Sequence, residues 1–331
     1  PIAIGETLRR LTGKCLLRAR RDVIERRALT IRNFAFTSDG CSNVVKLVQL
    51  YAHEHPEHVV LTTDVETAFQ SAPRTQMERA LYEDEGLRPL LPYFYSLYAD
   101  EAALYFGDDV LKSREGCQQG CSLGTLLYVL SILPVILKLM EEFPDCMILG
   151  SSDDYYICGP PEEAAACLRR YGVLLAERDQ RLKFSKSWAY SASATALSHA
   201  DIVALREDLQ VKLTSRGINV LGSPVGNGDF THDFVMDKVH KNQELLREIE
   251  ALAAHDNAAA AQSALLLLRY CAVPAVTHLL RTAPPALAYE AFVGHERNIL
   301  GTVSKLISPT DPLFRDLTDA DARDDYSRQH Q

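Results

Sequence analysis

The segment ILGSSDDYYICGP, Ile148 to Pro160, sets two adjacent carboxylates between two apolar runs, and it restricts the fold more than any other stretch. Asp153 and Asp154 repel each other, and apolar surroundings raise the cost of ionising either one. The flanks read as strand, turn, strand, which puts the pair at the rim of a sheet. A second short apolar run, EHVVLTTDV, is of strand type and ends at Asp64. If these strands are neighbours, three carboxylates converge, and such a cluster is costly unless cations neutralise it. Two divalent ions about 3.5–4 Å apart would bridge the acids and align an attacking and a leaving oxygen for in-line phosphoryl transfer. The all-oxygen donor set suits Mg2+, with Mn2+ an alternative, better than Zn2+. Taken alone, an Asp-Asp pair is far more often the mark of a solvated hairpin turn.

The rest of the chain alternates strand and helix signals before turning wholly helical. Residues 5–28 read as one basic helix, and CSNVVKLVQLYAHEH as a second, starting near Ser42 or Asn43. Helical stretches over 75–84 and 87–99 follow, then AALYFGDDVLKS as a hairpin turning at Gly107-Asp108. A long apolar helix spans Cys121 to Met140; beyond the acid pair come a helix at 161–178, strand-like RLKFSKSWAYS, and the short strand and turns of GINVLGSPVGNG. From Asp233 onward the pattern is helical almost throughout. This order indicates an α+β unit followed by an all-α unit.

Composition narrows the class. At 331 residues with 47% hydrophobic and 24% charged content, the chain is of ordinary globular type. The net charge of -9 hides a basic head, with nine cations against three anions up to Arg32, able to read polyanions. The eight cysteines form no C-x2-C pair and have no histidines nearby, so neither zinc nor a disulfide framework is expected, and buried thiols in a reducing compartment are. The run Cys121 to Met140 is long enough to cross a bilayer, but Pro134 and Lys138 interrupt it and no other segment comparably lacks charge, so a buried core helix and no membrane partner are expected. No signal peptide pattern opens the chain, and its start at Pro1 reads as that of an excerpt.

Five blocks in order, TTDVETAF, REGCQQGCSLGTLLY, SSDDYYICG, LKFSKS and INVLGSPVG, resemble the palm of reverse transcriptases, those of non-LTR (LINE-type) retrotransposons most closely. PIAIGETLRRLTGKCLL is similar to that family's first fingers block, and QSALLLLRYCAVPAVTHLLRTAPP to its helical thumb, so the resemblance covers residues 1 to about 285. It implies a right-hand polymerase: partial fingers over 1–56, a palm over 57–228 with an antiparallel sheet backed by helices, an all-α thumb over 229–306, and a poorly ordered acidic tail over 307–331. The implied activity is RNA-directed DNA polymerisation, with RNA template, DNA primer and dNTPs as partners. An intracellular location is implied, nuclear in a eukaryote with a cytoplasmic phase.

The same resemblance assigns roles. Asp64 and Asp153 would be the shared metal ligands, completed by Asp154 and the Val65 carbonyl. Phe69 would lie beneath the incoming sugar and exclude a ribose 2'-OH. Gly116, Gln119 and Gly120 match the G-x-x-Q-G element that meets template and nascent pair, with glycine allowing close backbone approach. Lys186 would protonate or neutralise the leaving pyrophosphate. Arg10 and Lys14 would grip triphosphate or template. Leu221 and Gly222 fall in the primer-gripping hairpin. Three departures stand out: Ser151 replaces an aromatic before the acids, Cys121-Ser122 replaces Asp-Pro, and RNFAFTSDGCSN follows the second fingers block only loosely. A catalytically decayed relic that binds nucleic acid is therefore the alternative. A nucleotide cyclase ranks lower, since cyclases lack the Gln119-Gly120 block and a helical thumb.

Overall fold

A computed structural model describes residues 6–254 and 258–307. The residues of the predicted acidic tail beyond Ile307, and the first five residues of the first fingers block, lie outside the described residues. Contacts divide the chain into two compact units, the first ending at Leu221 and the second beginning at Gly222.

The first unit is mixed α/β. It opens with α1 (Thr7–Ala19), α2 (Arg21–Leu29) and α3 (Gly40–Glu54). The single helix expected over 5–28 is thus two, because Arg20 leaves helical geometry at φ -118°, ψ 15° while its N–H still reaches Leu17 O and Arg18 O. Strand β1 (Val59–Thr62) and α4 (Ala68–Ser71) follow, then α5 (Arg74–Glu83), α6 (Leu91–Tyr98) and the hairpin β2 (Ala102–Phe106)–β3 (Asp109–Ser113). The long helix α7 runs Gly124–Glu142, starting three residues later than its apolar run suggests and continuing through Pro134. Beyond it come β4 (Met147–Ser151), β5 (Asp154–Gly159), α8 (Pro161–Ala176), β6 (Trp188–Tyr190), α9 (Ala194–Leu197), α10 (Ala200–Leu209), β7 (Lys212–Thr214) and β8 (Gly217–Val220).

Five strands make one sheet in the order β4-β5-β1-β6-β7. The expected antiparallel pairing holds for β4-β5, β5-β1 and β1-β6, but β7 lies parallel to β6, so the sheet is mixed. A parallel neighbour needs a crossover, and the helices α9 and α10, which no sequence signal marks, supply it. The strand expected across RLKFSKSWAYS is only Trp188–Tyr190, because Phe184–Lys186 coils into a 3-10 turn. Helix α7 is apolar over most of its length, with Lys138, Glu141 and Glu142 exposed near its end, and is buried against the sheet with α8, its Leu126, Leu127, Val129, Leu130 and Ile132 all inaccessible.

The second unit starts with β9 (Ser223–Gly226) and continues as α11 (Gly228–Ala253), α12 (Ala258–Leu267), α13 (Leu279–Thr282) and α14 (Pro285–Ile307). Asn227 caps α11 by accepting the Phe230 N–H at 2.8 Å. Val235, Val239, Leu279 and Ala288 form one core cluster here, and Leu246, Ile249, Ala264 and Leu268 another. Among the described residues, two helical stretches are long and apolar enough to cross a membrane by length and composition, Gly124–Glu142, 67% buried, and Ala259–Thr282, 28% buried. The second departs from the sequence expectation of a single such run, since its apolar residues outweigh Arg269 and Arg281.

Candidate active site

The ladder between β1 and β5 ends at Thr62 opposite Tyr156. One residue on, Thr63 donates both its N–H, at 3.1 Å, and its hydroxyl, at 2.9 Å, to Tyr155 O. The next step of this antiparallel register brings Asp64 toward Asp154. Asp153 sits in the two-residue turn between β4 and β5, where Ser151 pairs with Asp154. Ser152, the first turn residue, takes φ +60°, a left-handed conformation that two-residue hairpins favour. The strands thus carry all three acids to one edge of the sheet.

Electrostatics reports the convergence. The pKa of Asp154 is pushed up to about 6, first by burial of its carboxyl and then by the charges of Asp153 and Asp64. Asp154 retains open surface, yet enough protein surrounds its carboxyl to penalise the ionised form. Asp153 also faces inward: its charge helps hold the phenols of Tyr128 and Tyr171 un-ionised, after burial, which dominates. The hydroxyls of both tyrosines are buried with no hydrogen-bond partner among the described residues.

Asp64 is fixed by its backbone. Its carbonyl accepts the Lys183 N–H at 2.7 Å, Val65 bridges to Leu182, and the Glu66 N–H donates to Arg181 O at 2.8 Å. This clamp leads the chain into the 3-10 turn that ends at Lys186, whose Nζ lies 3.4 Å from Asp64 Oδ2. Lys186 therefore meets the acid cluster itself.

Phe69 lies on α4, with its ring stacked on Tyr128 at 5.2 Å and half-buried. Because Tyr128 feels the charge of Asp153, Phe69 belongs to the same neighbourhood. The Phe69 carbonyl accepts the Cys117 N–H at 2.7 Å, which ties the loop carrying Gly116, Gln119 and Gly120 to α4. Gly116 is buried at φ +65°, and a Cβ there would lie 2.3 Å from Gln70 O. Gln119 is exposed and Gly120 half-buried. This loop, with β2 and β3, walls a cleft of about 430 Å3 lined by Gln70, Leu104, Ser113 and Gln118.

Helix α1 crosses beside the same loop, since Gly13 faces Ser122 and Leu123, and Ser122 Oγ donates to Arg10 O at 3.0 Å. Arg10 and Lys14 are both exposed and four residues apart on this helix, so they share a face. Leu221, at φ +48°, donates its N–H to the hydroxyl of Tyr156 on β5 at 3.2 Å. Gly222, at φ +82°, belongs to the second unit, where its carbonyl lies 3.1 Å from His278 Nε2.

Several residues that position this site carry no sequence signal. Asn33, fully buried, donates from Nδ2 to Ser152 O and to Tyr155 OH, each at 2.9 Å, and accepts the Ser152 N–H at 3.2 Å. It braces the turn that holds Asp153 from 119 residues away. Arg74 lies over the Tyr98 ring and donates to Gly116 O at 2.9 Å and to Ser113 O at 3.0 Å. The Tyr98 hydroxyl accepts the Gln118 N–H at 3.2 Å. The block around Asn33 carries no clear sequence motif, which is why a polar residue there looks like loop filler.

Three carboxylates at one place, two of which raise the proton affinity of the third, Asp154, with the Lys186 ammonium against Asp64, make a site short of positive charge. Hard divalent cations fit that donor set. The three acids are more widely spread than a single tight ligand cluster: among the described residues, the one group of three potential ligand atoms within 4.8 Å of one another is His55, Glu57 and His58.

No protein-family model matches the chain. No curated protein matches it either. Among solved structures it is similar to apo telomerase from Candida tropicalis, at 10% identity and TM-score 0.49, with 88% of this chain and 50% of that one covered. It is also similar to telomerase from Candida albicans in complex with a TWJ fragment of telomeric RNA, at 11% identity and TM-score 0.47, covering 90% of this chain and 57% of that one. The Candida tropicalis protein truncated from its C-terminal domain aligns at 8% identity and TM-score 0.35, over 52% of this chain and 40% of that one. The chain thus spans about half the length of these structures.

Proposed function

We propose that this chain is the polymerase core of a reverse transcriptase of non-LTR type, which joins dNTPs to a primer 3'-OH on an RNA template. The observation that carries the reading is the meeting of Asp64, Asp153 and Asp154 at one sheet edge, with Lys186 3.4 Å from Asp64. The first unit would supply the fingers and palm, and the helices from α11 onward the thumb.

Asp64, Asp153, Asp154 and the Val65 carbonyl would hold two Mg2+ ions, with Mn2+ able to replace them. When bound, the ions neutralise charge on the reacting phosphoryl group and acidify the primer hydroxyl. The protein's own contribution is placement. Asn33 holds the turn of Asp153 against β5, so that the carboxylate is set before substrate arrives. Lys186 offers a proton or a positive charge to the departing pyrophosphate. Phe69, kept upright by Tyr128, closes the space where a ribose 2'-OH would sit. Arg10 and Lys14 face triphosphate or template, while Gly116, Gln119 and Gly120 let backbone approach the template strand. Leu221 and Gly222 would contact the primer end.

The test is primer extension on poly(rA)/oligo(dT) with Mg2+. Wild-type protein is expected to extend the primer and Asp153→Asn to lose at least about a thousandfold in rate, as removal of a ligand essential to charge neutralisation implies. The loose match around Ser151 favours one competing reading, a relic that binds template and primer without extending either. Retained binding with no extension by the wild type would establish that reading instead.

A further inference from the structure

At the opposite end of β1 from Asp64, the chain turns through His55-Pro56-Glu57-His58. Helix α3 ends as His55 takes φ -126°, ψ 67°. The His58 N–H then closes on His55 O at 3.0 Å, forming a β-turn with proline at its second position. Ser191, at the end of β6, donates its hydroxyl to His58 O at 2.7 Å and to Pro56 O at 3.3 Å, so the turn is latched to the sheet. A turn fixed in this way delivers its first, third and fourth side chains to one place. Glu57 Oε1 lies 3.4 Å from His58 Nε2 and 3.9 Å from His55 Nδ1, and all three atoms fall within 4.8 Å of one another.

We propose that His55, Glu57 and His58 form a transition-metal site that takes Zn2+. A tetrahedral Zn2+ with bonds of about 2.0–2.1 Å separates its ligand atoms by about 3.3 Å, close to the spacing already present. Two imidazoles and one carboxylate are a zinc donor set, and the nitrogens disfavour Mg2+. The remaining ring nitrogen of His58, Nδ1, lies 2.8 Å from the Tyr51 hydroxyl. That contact holds the ring and, with Nδ1–H donating to the phenol, leaves Nε2 as the free lone pair, which is how second-layer partners orient metal-bound histidine. The His55 and His58 rings stack at 4.8 Å, so binding turns the more exposed His55 ring out of the stack to bring its lone pair onto the ion. The bound metal would staple the end of α3 to the start of β1. Nothing in this site depends on the polymerase reading.

The experiment titrates the full chain with Zn2+ against a chromophoric chelator in excess Mg2+, which occupies hard oxygen sites. One equivalent is expected to bind, with a rise in melting temperature that grows with Zn2+ concentration. Tyr51→Phe is expected to weaken binding by about tenfold, and loss of a direct ligand in His58→Gln by more than that. If His58→Gln does not fold, His55→Gln, at the more exposed ligand, serves in its place. Asp153→Asn is expected to bind Zn2+ like the wild type. Affinity unchanged in the histidine variants, or lost in Asp153→Asn, overturns the site. So does the absence of saturable binding by the wild type.

Discussion

Asn33 shows how much one buried amide can decide. Three of its four side-chain hydrogen bonds go to Ser152 and Tyr155, in a turn whose first residue already sits at positive φ, and they hold Asp153 in register with β5. Removing the amide leaves Ser152 and Tyr155 with unpaired polar groups next to the core, at about 1–3 kcal/mol each when fully buried. Asn33→Ala is therefore expected to lower the melting temperature by several degrees and to reduce primer extension at saturating substrate, both read on the purified protein. Unchanged melting and unchanged extension would show that the turn stands without it. Gly116 is the second such position. A Cβ there meets backbone atoms of Phe69 and Gln70 at 2.3–2.4 Å, at a φ of +65° that costs a non-glycine residue about 1–2 kcal/mol before any clash. Gly116→Ala is expected to destabilise by more than that figure in denaturant titration, because rigid backbone cannot move aside as a side chain can.

At the scale of elements, the helix pair α11 and α14 offers a contrast. Gly301 lies in α14, and a Cβ added there would have nothing within 4 Å, so Gly301→Ala should gain about 0.5–1 kcal/mol of helix propensity and raise the melting temperature. The same helices are joined through Glu250, which accepts from Thr302 Oγ1 at 2.7 Å and Lys305 Nζ at 2.8 Å. Partial burial is the largest single influence and would raise the pKa of this carboxyl. The hydrogen bonds from Lys305 and Thr302, with the ammonium charge, together outweigh it and leave the pKa below its ordinary 4.5. A depressed carboxyl pKa contributes stability that is complete above about pH 4.5 and lost as pH falls through the lower folded-state value. Wild type should accordingly be more stable than Glu250→Gln at neutral pH, and the difference should shrink on acidification below pH 4.5. Melting curves across that window check the sign, and a difference that grows with acid would refute it.

For the molecule as a whole, legibility tracks periodicity. Helix α7, strand β1 and the β4–β5 turn are readable because long apolar runs and short strands bounded by acids leave few alternatives. Helices α9 and α10 are not, because nothing in their mixed polar sequence announces a crossover, and the parallel strand β7 goes unread with them. The split of the first helix at Arg20 is marked by no proline or glycine at the break, so the sequence does not announce it. The histidine turn is visible as letters but reads as the end of a helix, since its spacing matches neither the cysteine-based zinc patterns nor H-E-x-x-H.

What the sequence by itself determined was which residues carry charge, which runs must be buried and in what order the acids come, since these follow from side-chain chemistry and periodicity alone. Only the tertiary structure decided that β5 lies beside β1, so that Asp154 feels the charge of Asp64 across 90 residues of chain. It likewise decided that Asn33 braces the Asp153 turn and that Lys186 reaches Asp64. Strand pairing and buried hydrogen bonds depend on which surfaces meet after collapse, and that is a property of the packed chain rather than of any segment in it.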